Sequence, residues 1–392
     1  MISYEEAIRI VDSLCHPLDA VSRRPSHAGG YALAEDLYAK CASPPFDNSA
    51  VDGYGRRLED LEAGELRLCG EVKAGDDGLL SVPPGHAVRI FTGAPIPSGI
   101  AAVGMQEDCR EKDGAVRFLE TSHRGDHIRP AGSDFAAGQL LLKKGEILNP
   151  ASIGLAISGG HLTVKTLWRP RVTILTTGNE LVPPGEELGP GQIYNSNEGA
   201  LSAALEPLSG VTRTLHVGDD LEQLKFLLPA ILQDSDVVLT CGGVSVGEYD
   251  FLKEAFAACG VEQRFWQVAI KPGKPVYFGT WGRSLVFGLP GNPVSALVTF
   301  YLFVRPALLK LSGRIDEWSS PIQARFEGES HKKGGRMEFL RGVLADGQAR
   351  EAGAQGSHQL AALAAANCLV HFPREAERLR TGDKVEVTPI EW

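Results

Sequence analysis

The fold of this 392-residue chain is indicated by the stretch Val237-Val238-Leu239-Thr240-Cys241-Gly242-Gly243-Val244-Ser245-Val246-Gly247-Glu248-Tyr249-Asp250. Residues 237–240 form an uninterrupted apolar and β-branched run, which is typical of a strand that is buried on both faces. Residues 241–250 are rich in glycine and predict a loop, and residues 249–259 have apolar side chains at helical spacing. The stretch therefore predicts a strand, a glycine loop and a helix in succession.

The same alternation of strand and helix continues on both sides. We predict strands over 172–175, 211–217 and 265–270, and helices over 196–208, 221–232 and 293–311. Strands that alternate with helices of about 10–15 residues form βαβ units and a parallel sheet. The loops that follow the strands then meet at the carboxyl edge of the sheet, where open α/β sheets bind their ligands.

The flanking segments have other patterns. Ser3 and Glu6 form a capping box for a first helix, which Pro17 ends. Residues 31–148 consist of short runs broken by Pro and Gly, which predicts β-rich structure, and a short helix and a strand follow over 151–167. Short strands return after residue 320. These changes predict domain breaks near residues 40, 148, 170 and 320.

Composition limits what the protein binds and where it works. The 39 Lys and Arg against 49 Asp and Glu give a net charge of −10, which argues against a nucleic acid or an anionic membrane held by bulk charge. The seven cysteines include no CxxC pair, and several lie in apolar runs, which indicates thiols in a reducing compartment. We find no signal peptide and no apolar stretch that approaches the roughly 18 residues needed to span a bilayer. We therefore expect a cytoplasmic protein with neither nucleic acid nor membrane as a partner.

Four glycine-containing loops lie at the predicted carboxyl edge of the sheet, at residues 176–181, 241–250, 271–275 and 288–293. Glycine lets backbone N–H groups approach an anion, and a helix N-terminus adds partial positive charge. Asn292 suits the N-cap of the last helix and Pro293 its first position, while Lys271 and Lys274 add full charges. Any one of these loops is most simply a turn, but the four together predict a phosphate cradle.

One of these loops also supports a different chemistry. Residues 243–247 match GxSxG, the nucleophile elbow of hydrolases, between a strand and a helix. A hydrolase needs an acid and then a His further along the chain. The candidates are Asp250, Asp316, His331, His358 and His371. None lies in a recognisable motif and no HGGG-type oxyanion segment is present, so the hydrolase is the weaker interpretation.

Carboxylates also gather outside the predicted sheet, in turn-rich segments at residues 44–54, 90–97 and 129–134. Asp, Asn and Ser cap turns routinely, which explains these segments simply. The alternative is a group of hard oxygen ligands for Mg²⁺ or for an oxyanion.

Taken together, the motifs resemble those of one family. Residues 44–54, Pro-Pro-Phe-Asp-Asn-Ser-Ala-Val-Asp-Gly-Tyr, resemble the signature of the molybdopterin molybdenumtransferases, the MoeA family, which includes the C-terminal region of gephyrin. Five further segments resemble that family in order, at 91–95, 177–181, 242–247, 271–275 and 288–297. Residues 242–247 alone would also fit the related molybdopterin adenylyltransferase, whereas residues 44–49 would not. The resemblance runs from about residue 3 to residue 390.

The resemblance implies a multidomain α/β plus β fold. Residues 1–41 and 147–170 would form an elongated N-terminal domain, and residues 42–146 a β-domain inserted in it. Residues 171–314 would form the molybdopterin-binding domain, a three-layer α/β domain like those of MoaB and Mog, and residues 315–392 a C-terminal β-barrel. Family members are homodimers, whose cleft combines the α/β and C-terminal domains of one subunit with the inserted domain of the other. We therefore expect a homodimer.

The resemblance also implies a reaction, in which molybdenum from molybdate enters adenylyl-molybdopterin and AMP is released. Mg²⁺ would bridge phosphate oxygens and offset the charge that develops on the leaving AMP. The expected protein partners are a molybdopterin adenylyltransferase and apo molybdoenzymes.

Matching motif positions imply roles for individual residues. The expected catalytic residues are Asp52, Thr92, Asp134, Glu180, Asp250 and Lys271, with Arg129 also facing molybdate. The expected metal ligands are Glu180, Asp220 and Asp250, and Asp219 leaves the register at Asp220 open. The expected cofactor-binding residues are Gly242, Gly243, Ser245, Lys274, Pro290, Pro293, Arg341 and Ser357.

The chain departs from the family pattern at Gln267, where members often carry Lys or Arg. One basic contact is therefore missing or supplied elsewhere, since Gln cannot replace it electrostatically. Val51 and Gly55 replace the more usual Met and Ala, a packing change that we expect to be harmless.

Two alternatives to molybdenum transfer stay open. One is a scaffold that binds molybdopterin without turnover, against which the intact carboxylates and Lys271 speak. The other is insertion of tungsten, because the two oxyanions have the same charge and nearly the same size.

Overall fold

The computed structural model of the chain describes residues 1–243, 251–314 and 321–390. The chain divides into two compact units. The first comprises Met1–Val21, Gly145–Ile147 and Thr166–Trp392, and the second comprises Ser22–Lys144 and Leu148–Lys165. The four-domain division inferred above is finer than these two units and stays a prediction.

Helices and strands are numbered here along the described parts of the chain. The helices are α1 Tyr4–Leu14, α2 Pro150–Ser158, α3 Ser196–Leu205, α4 Leu221–Asp234, α5 Phe251–Ala258, α6 Pro293–Thr299, α7 Arg305–Leu311 and α8 Leu360–Ala364, with a π-helical segment Phe300–Val304 between α6 and α7. The first strands are β1 Ala20–Arg23, β2 Leu37–Tyr38, β3 Asn48–Ser49, β4 Gly53–Arg57, β5 Glu65–Val72, β6 His86–Ile90, β7 Ile100–Met105, β8 Cys109–Lys112, β9 Ala115–Phe118, β10 Ile128–Arg129, β11 Leu140–Leu142 and β12 Val164–Leu167. The middle strands are β13 Arg171–Thr177, β14 Leu181–Val182, β15 Ile193–Tyr194, β16 Val211–Val217, β17 Val237–Cys241, β18 Glu262–Trp266, β19 Ile270–Lys271, β20 Tyr277–Trp281 and β21 Ser284–Leu289. The last strands are β22 Ile322–Glu327, β23 Glu329–His331, β24 Met337–Ala345, β25 Gln348–Glu351, β26 Cys368–Phe372, β27 Arg378–Arg380 and β28 Lys384–Pro389.

The centre of the first unit is a six-stranded sheet in the order β16-β13-β17-β21-β20-β18. Neighbouring strands are parallel from β16 to β21, whereas β20 is antiparallel to both of its neighbours. The predicted parallel sheet with intervening helices is confirmed. The β20–β21 hairpin was not predicted, and the strand expected over 265–270 ends at Trp266, since Ile270 belongs to β19.

Helices cover both faces of this sheet. Alternate residues of β17 point to opposite sides, so Val237 and Leu239 pack in one core and Val238 in another. The first core includes residues of α1, α3 and the α6–α7 region, and the second includes residues of α4 and α5. The expected three-layer α/β arrangement is therefore confirmed.

The C-terminal part of the first unit is a closed five-stranded barrel in the order β24-β25-β22-β28-β26, with β26 returning to β24. Its core contains Phe326, Leu340, Val370, Phe372 and Val387. The short strand β19 pairs in parallel with β24, which places Lys271 opposite Glu338. The expected C-terminal β-barrel is confirmed, and β19 joins it to the loop that follows β18.

The second unit is built around a mixed sheet in the order β7-β4-β6-β5-β9-β8. Two small cores lie on this sheet, and a third forms around α2 with Leu33 and Leu148. A Cβ atom at Gly55 would lie 3.0 Å from Val88 Cγ1 and 3.1 Å from Ile100 Cγ2, so these side chains fill the space that an alanine would need.

The helical run Pro293–Leu311 corrects one expectation. Its 19 residues are long and apolar enough to cross a membrane by length and composition, so the statement that no apolar stretch approaches this length was wrong. Within the molecule 89% of the apolar window is buried, because the run packs in the core beneath the central sheet. Burial against the sheet accounts for its composition.

Candidate functional site

A cavity of about 450 Å³ lies at the carboxyl edge of the central sheet. Its walls are Thr177, Glu180, Leu181, Ile193, Tyr194, Asn195, Ser196, Asn197, Cys241, Gly242, Gly243, Pro275, Pro290, Gly291, Asn292 and Pro293. Each of the four loops singled out from the sequence contributes to it. The structure thus brings together Glu180, Gly242, Gly243, Pro290 and Pro293 from the expected site.

Close approach of backbone segments requires glycine in part of this wall. Gly242 and Gly243 have φ of 92° and 57°, in the left-handed region. A Cβ at Gly242 would lie 3.1 Å from the carbonyl oxygen of Thr177, and one at Gly243 would lie 2.9 Å from Leu252 Cδ1. Backbone rather than side chains therefore forms this wall, which suits contact with an anion.

Glu180 lies in the loop between β13 and β14. A Cβ at Gly178 would lie 2.4 Å from the Glu180 Oε2, so the carboxylate lies over this residue, whose φ of 137° favours glycine. The backbone carbonyl of Glu180 accepts a hydrogen bond from Ile193 N at 2.8 Å, which ties this loop to β15.

The sequence left open whether Asp219 or Asp220 matches the expected metal ligand. Their hydrogen bonds show how each carboxylate is used. Asp219 and Asn179 exchange two bonds of 3.3 Å, each from a backbone N–H to the other's side-chain oxygen. Asp220 is the N-cap of α4, and its Oδ1 accepts from Gln223 N at 3.0 Å. Neither carboxylate lines the cavity. Asp219 is bonded to the loop that carries Glu180, and Asp220 caps α4.

Three asparagines complete the cavity, of which the sequence analysis named only Asn292. Asn195 is buried, caps α3 and donates from Nδ2 to Thr176 Oγ1 at 3.0 Å. Asn197 Nδ2 donates to the carbonyl of Gly291 at 2.7 Å, and Asn292 Nδ2 donates to Ser357 Oγ at 3.4 Å. Asn292 is the N-cap of α6, as predicted, although its side chain does not cap the helix. The Asn-Ser-Asn run at 195–197, directly before a helix, was the signal available for two of them.

The two lysines of the 271–275 loop differ in their surroundings. Lys271 Nζ lies 3.0 Å and 3.2 Å from the two carboxylate oxygens of Glu338, whose side chain is only 12% exposed. Lys274 is exposed, and no ion pair joins it to a described residue. Glu338 therefore holds Lys271 and offsets its charge, whereas Lys274 presents its charge to solvent.

Arg341 supports a loop rather than facing the cavity. Its side chain is almost fully buried, and Nη2 donates to the carbonyls of Ala354 and Gly356 at 2.9 Å and 3.2 Å. The amide of Gln355 bonds both the N–H and the C=O of Arg341. Burial lowers the pKa of Arg341. These bonds shape the loop that carries Ser357 beside Asn292.

In the second unit, Asp52 and Thr92 lie together. Asp52 Oδ1 accepts from both the N–H and the hydroxyl of Thr92, each at 2.8 Å. These two bonds, with a smaller contribution from Arg89, lower the pKa of Asp52. The carboxylate is partly exposed and ionised, so it is available to a ligand.

The three turn-rich segments of the second unit are joined by backbone bonds. β10 pairs with β3, Gly93 N donates to Ser49 O at 2.8 Å, and Asp134 N donates to Ser43 O at 2.9 Å. Asp47 Oδ1 accepts from Ala131 N at 2.7 Å, while Arg129 Nη2 reaches Ala50 O at 3.4 Å. Asp47 thus ties the first of these segments to the third. Asp134 and Arg129 belong to the same loop cluster as Asp52.

A metal ion has few protein ligands among the described residues. Within 1–243, 251–314 and 321–390, no group of three or more His, Cys, Asp or Glu could hold one. Mg²⁺ in phosphate-transfer sites usually takes only one or two carboxylates and completes its shell with water and substrate phosphate. Glu180 fits that role, Asp220 is occupied at α4, and Asp250 and Ser245 lie outside the described residues.

At Gln267 the structure offers one basic group nearby. Gln267 has φ of 70°, and its carbonyl accepts from Ile2 N at 3.2 Å. Lys253, on α5, places Nζ 3.5 Å from the ring centroid of the adjacent Trp266. This cation, carried by α5, thus lies on the residue before Gln267.

Comparisons with known proteins agree along the whole chain. Three family models match in succession: the MoeA N-terminal region (domain I and II) over residues 2–160, a probable molybdopterin binding domain over 173–310, and the MoeA C-terminal region (domain IV) over 323–390. The molybdopterin molybdenumtransferase of Haemophilus influenzae is 37% identical over 401 residues, covering 100% of this chain and 99% of that protein. Molybdopterin molybdenumtransferase 2 of Mycobacterium tuberculosis is 36% identical over 404 residues, 99% of each chain.

A solved structure, the molybdopterin biosynthesis MoeA protein from Pyrococcus horikoshii, matches with a TM-score of 0.85 and 33% identity over 100% of both chains. The fold is that of a multidomain α/β protein with a β-barrel, and its relatives place it in the transferase class. The chain belongs to the MoeA family, the molybdopterin molybdenumtransferases. The resemblance stated from the motifs and the fold class that it implied are both confirmed.

Proposed function

We propose that this protein inserts molybdenum from molybdate into adenylyl-molybdopterin and releases AMP. The observation that carries the proposal is the cavity in which Glu180, the glycine backbone at 242–243 and the start of α6 converge. Its relatives from Haemophilus influenzae and Mycobacterium tuberculosis are molybdopterin molybdenumtransferases, which supports the same activity.

In this proposal the cavity binds the phosphates of the substrate. The Gly243 N–H and the N-terminal end of α6 would bind the phosphate oxygens, while the Gly242 N–H donates to Leu289 O at 3.2 Å and holds the loop in place. Lys274 would add a full charge, whereas Lys271, whose charge Glu338 offsets, would contribute a hydrogen-bond donor that Glu338 keeps in position. The acidic protein would thus meet an anionic substrate with local basic groups.

We propose that Glu180 and Asp250 would hold a magnesium ion. When bound, Mg²⁺ would neutralise charge on the phosphoanhydride as AMP leaves. Glu180 would hold the ion from its position over Gly178. Asp220 would contribute indirectly, by capping α4.

We place the molybdate end at the loop cluster of the second unit, contributed by a second copy of the chain in a homodimer. Asp52, held ionised by Thr92, can accept a hydrogen bond from a protonated oxygen of the oxyanion. Arg129 and Asp134 lie on the same cluster, and the guanidinium supplies the opposite charge that an oxyanion needs.

We also propose a reducing, cytoplasmic setting, in which a molybdopterin adenylyltransferase supplies the substrate and apo molybdoenzymes take the product. All seven cysteines are free thiols, and four of them are buried.

The first test is release of AMP from adenylyl-molybdopterin with Mg²⁺, with and without molybdate. We expect release that depends on molybdate, together with a product that reconstitutes an apo molybdoenzyme. Tight binding without release would instead indicate a scaffold, and release driven by tungstate but not by molybdate would indicate tungsten insertion.

The matched variants are Glu180→Gln and Glu187→Gln. Both remove one carboxylate from the same loop region, but Glu187 is exposed and does not line the cavity. We expect Glu180→Gln to lower the rate by about 10² or more with folding intact, and Glu187→Gln to leave it unchanged. An unchanged rate for Glu180→Gln would remove Glu180 from the mechanism.

A further inference from the structure

One face of the cavity is apolar, in contrast to its glycine wall. Ile193 and Tyr194 line it and are 55% and 44% exposed. Of the described lining residues, Tyr194 alone is aromatic. The cavity therefore has a polar backbone wall suited to phosphate and a flat apolar surface beside it.

The ring of Tyr194 is held in place. Val182 and Tyr194 are partners in the parallel β14–β15 pair, which begins directly after Glu180. Hydrogen bonds of 2.8 Å from Ile193 N to Glu180 O and 2.9 Å from Asn195 N to Val182 O lie on either side of it. The phenol Oη donates to Glu186 O at 3.0 Å. Since backbone and hydroxyl are both fixed, little side-chain freedom is left to lose on binding.

We infer that Tyr194 is a stacking surface for the fused heteroaromatic ring of a phosphate-linked substrate. The inference rests on the proposed function, because adenylyl-molybdopterin carries two such rings, the adenine of its AMP part and the pterin. A half-exposed phenol ring with an occupied hydroxyl offers its face rather than a hydrogen bond. Stacking on such a face suits both rings, since each has a π-surface.

Binding of AMP and of ribose 5-phosphate, measured by calorimetry on the full chain, tests this without turnover. Both ligands carry the same phosphate and sugar, but only AMP carries a ring. We expect AMP to bind about tenfold more tightly, which is the size of one base–aromatic stack. Tyr194→Leu should remove that advantage, and Tyr194→Phe should keep it, because the phenyl face remains.

Tyr38→Leu is the matched control, since Tyr38 is a similarly exposed tyrosine, at 50%, in the second unit. It should leave the AMP affinity unchanged. Thermal unfolding of each variant checks that the exposed substitutions leave the fold intact.

The KM for adenylyl-molybdopterin shows whether the adenine or the pterin stacks on Tyr194. If Tyr194→Leu raises this KM but does not change AMP binding, the pterin is the ring that stacks, and the inference holds. If it changes neither quantity while the wild type releases AMP, the inference is overturned and the proposed function stands. If the wild type shows no molybdate-dependent release, the proposed function fails, whatever Tyr194 does.

Discussion

Asp52 receives two hydrogen bonds from the same residue, which makes its titration a direct probe of the loop cluster. The Thr92 N–H and hydroxyl both donate to Oδ1 and lower the pKa of Asp52. Thr92→Val removes the hydroxyl but keeps the N–H. We therefore expect the pKa of Asp52 to rise part of the way towards the ordinary value of about 3.9. Carbon-13 NMR titration of the carboxyl group measures it.

The control for this titration is Thr121→Val, an exposed threonine in the same unit that forms no hydrogen bond to Asp52. It should leave the Asp52 titration unchanged. An unmoved pKa in Thr92→Val would show that the hydroxyl bond does not form in solution.

His371 makes stability depend on pH. It is buried in the barrel, where Nε2 lies 2.7 Å from Thr388 Oγ1, and burial lowers its pKa to about 4 against a smaller opposite effect of Glu5. An unfolded His titrates near 6.5. The unfolded state therefore binds the extra proton first, and stability falls as the pH drops from about 6.5 towards 4.

At pH 5 the titration of His371 should lower the free energy of unfolding by about 2 kcal/mol relative to pH 7.5. Urea unfolding at both values measures the loss. His371→Gln cannot titrate, so its loss between the two pH values should be smaller by about that amount. His331→Gln, at an exposed histidine of the same barrel region, should behave as the wild type. Equal losses in His371→Gln and wild type would contradict the assignment.

The glycine wall can be tested apart from backbone strain. Gly242 and Gly260 both have a positive φ, 92° and 79°, so alanine is strained at either position. A Cβ at Gly242 meets Thr177 at 3.1 Å, whereas one at Gly260 meets nothing within 4 Å. We expect each alanine variant to lose about 1–2 kcal/mol of stability.

Only Gly242→Ala should also raise the KM for adenylyl-molybdopterin, by about tenfold or more, because its methyl group enters the wall that faces the phosphate. Steady-state kinetics and thermal unfolding on the pair separate the two effects. A normal KM in Gly242→Ala would mean that the phosphate lies elsewhere in the cavity.

Elements with a clear period were predictable, and so was the buried strand β17, because a glycine loop follows its apolar run directly. The helix at 221–232 has regularly spaced apolar residues and was found as α4. The β20–β21 hairpin was missed because both strands are almost continuously buried and show no alternation of polar and apolar residues. Only Gly282, at φ of 56°, marked the turn between them.

The candidate site was predictable where loops follow strands directly. Glu180 and Gly242 lie within a few residues of a strand end, so topology alone placed them at one edge. Tyr194 and Asn195 reach the same edge after a long loop, through a two-residue pair with β14. Pattern and spacing cannot specify such a return, because it depends on hydrogen bonds between residues about twelve positions apart.

The homodimer proposal predicts that two inactive variants rescue one another. Glu180→Gln is in the first unit and Asp52→Asn in the second. If each site combines the two units of different copies, a mixed dimer has one site with both changes and one intact site. Equal mixing should therefore recover about a quarter of wild-type AMP release. No recovery, with mixed dimers demonstrated by size and mass, would place both residues in one copy.

The contacts of α1 determine when it can dock during synthesis of the chain. Within the first unit, Tyr4 packs edge-on against Phe303 and Phe339, and Asp12 pairs with Lys310 at 2.6 Å. These partners leave the ribosome about 300 residues after α1, which at 5–20 residues per second is a delay of roughly 15–60 s. During that interval the second unit can fold, while the apolar face of α1 has nothing to cover it. Helix α1 therefore docks only after the segments that follow it in the chain, and we expect it to be bound until then by a chaperone that holds nascent chains.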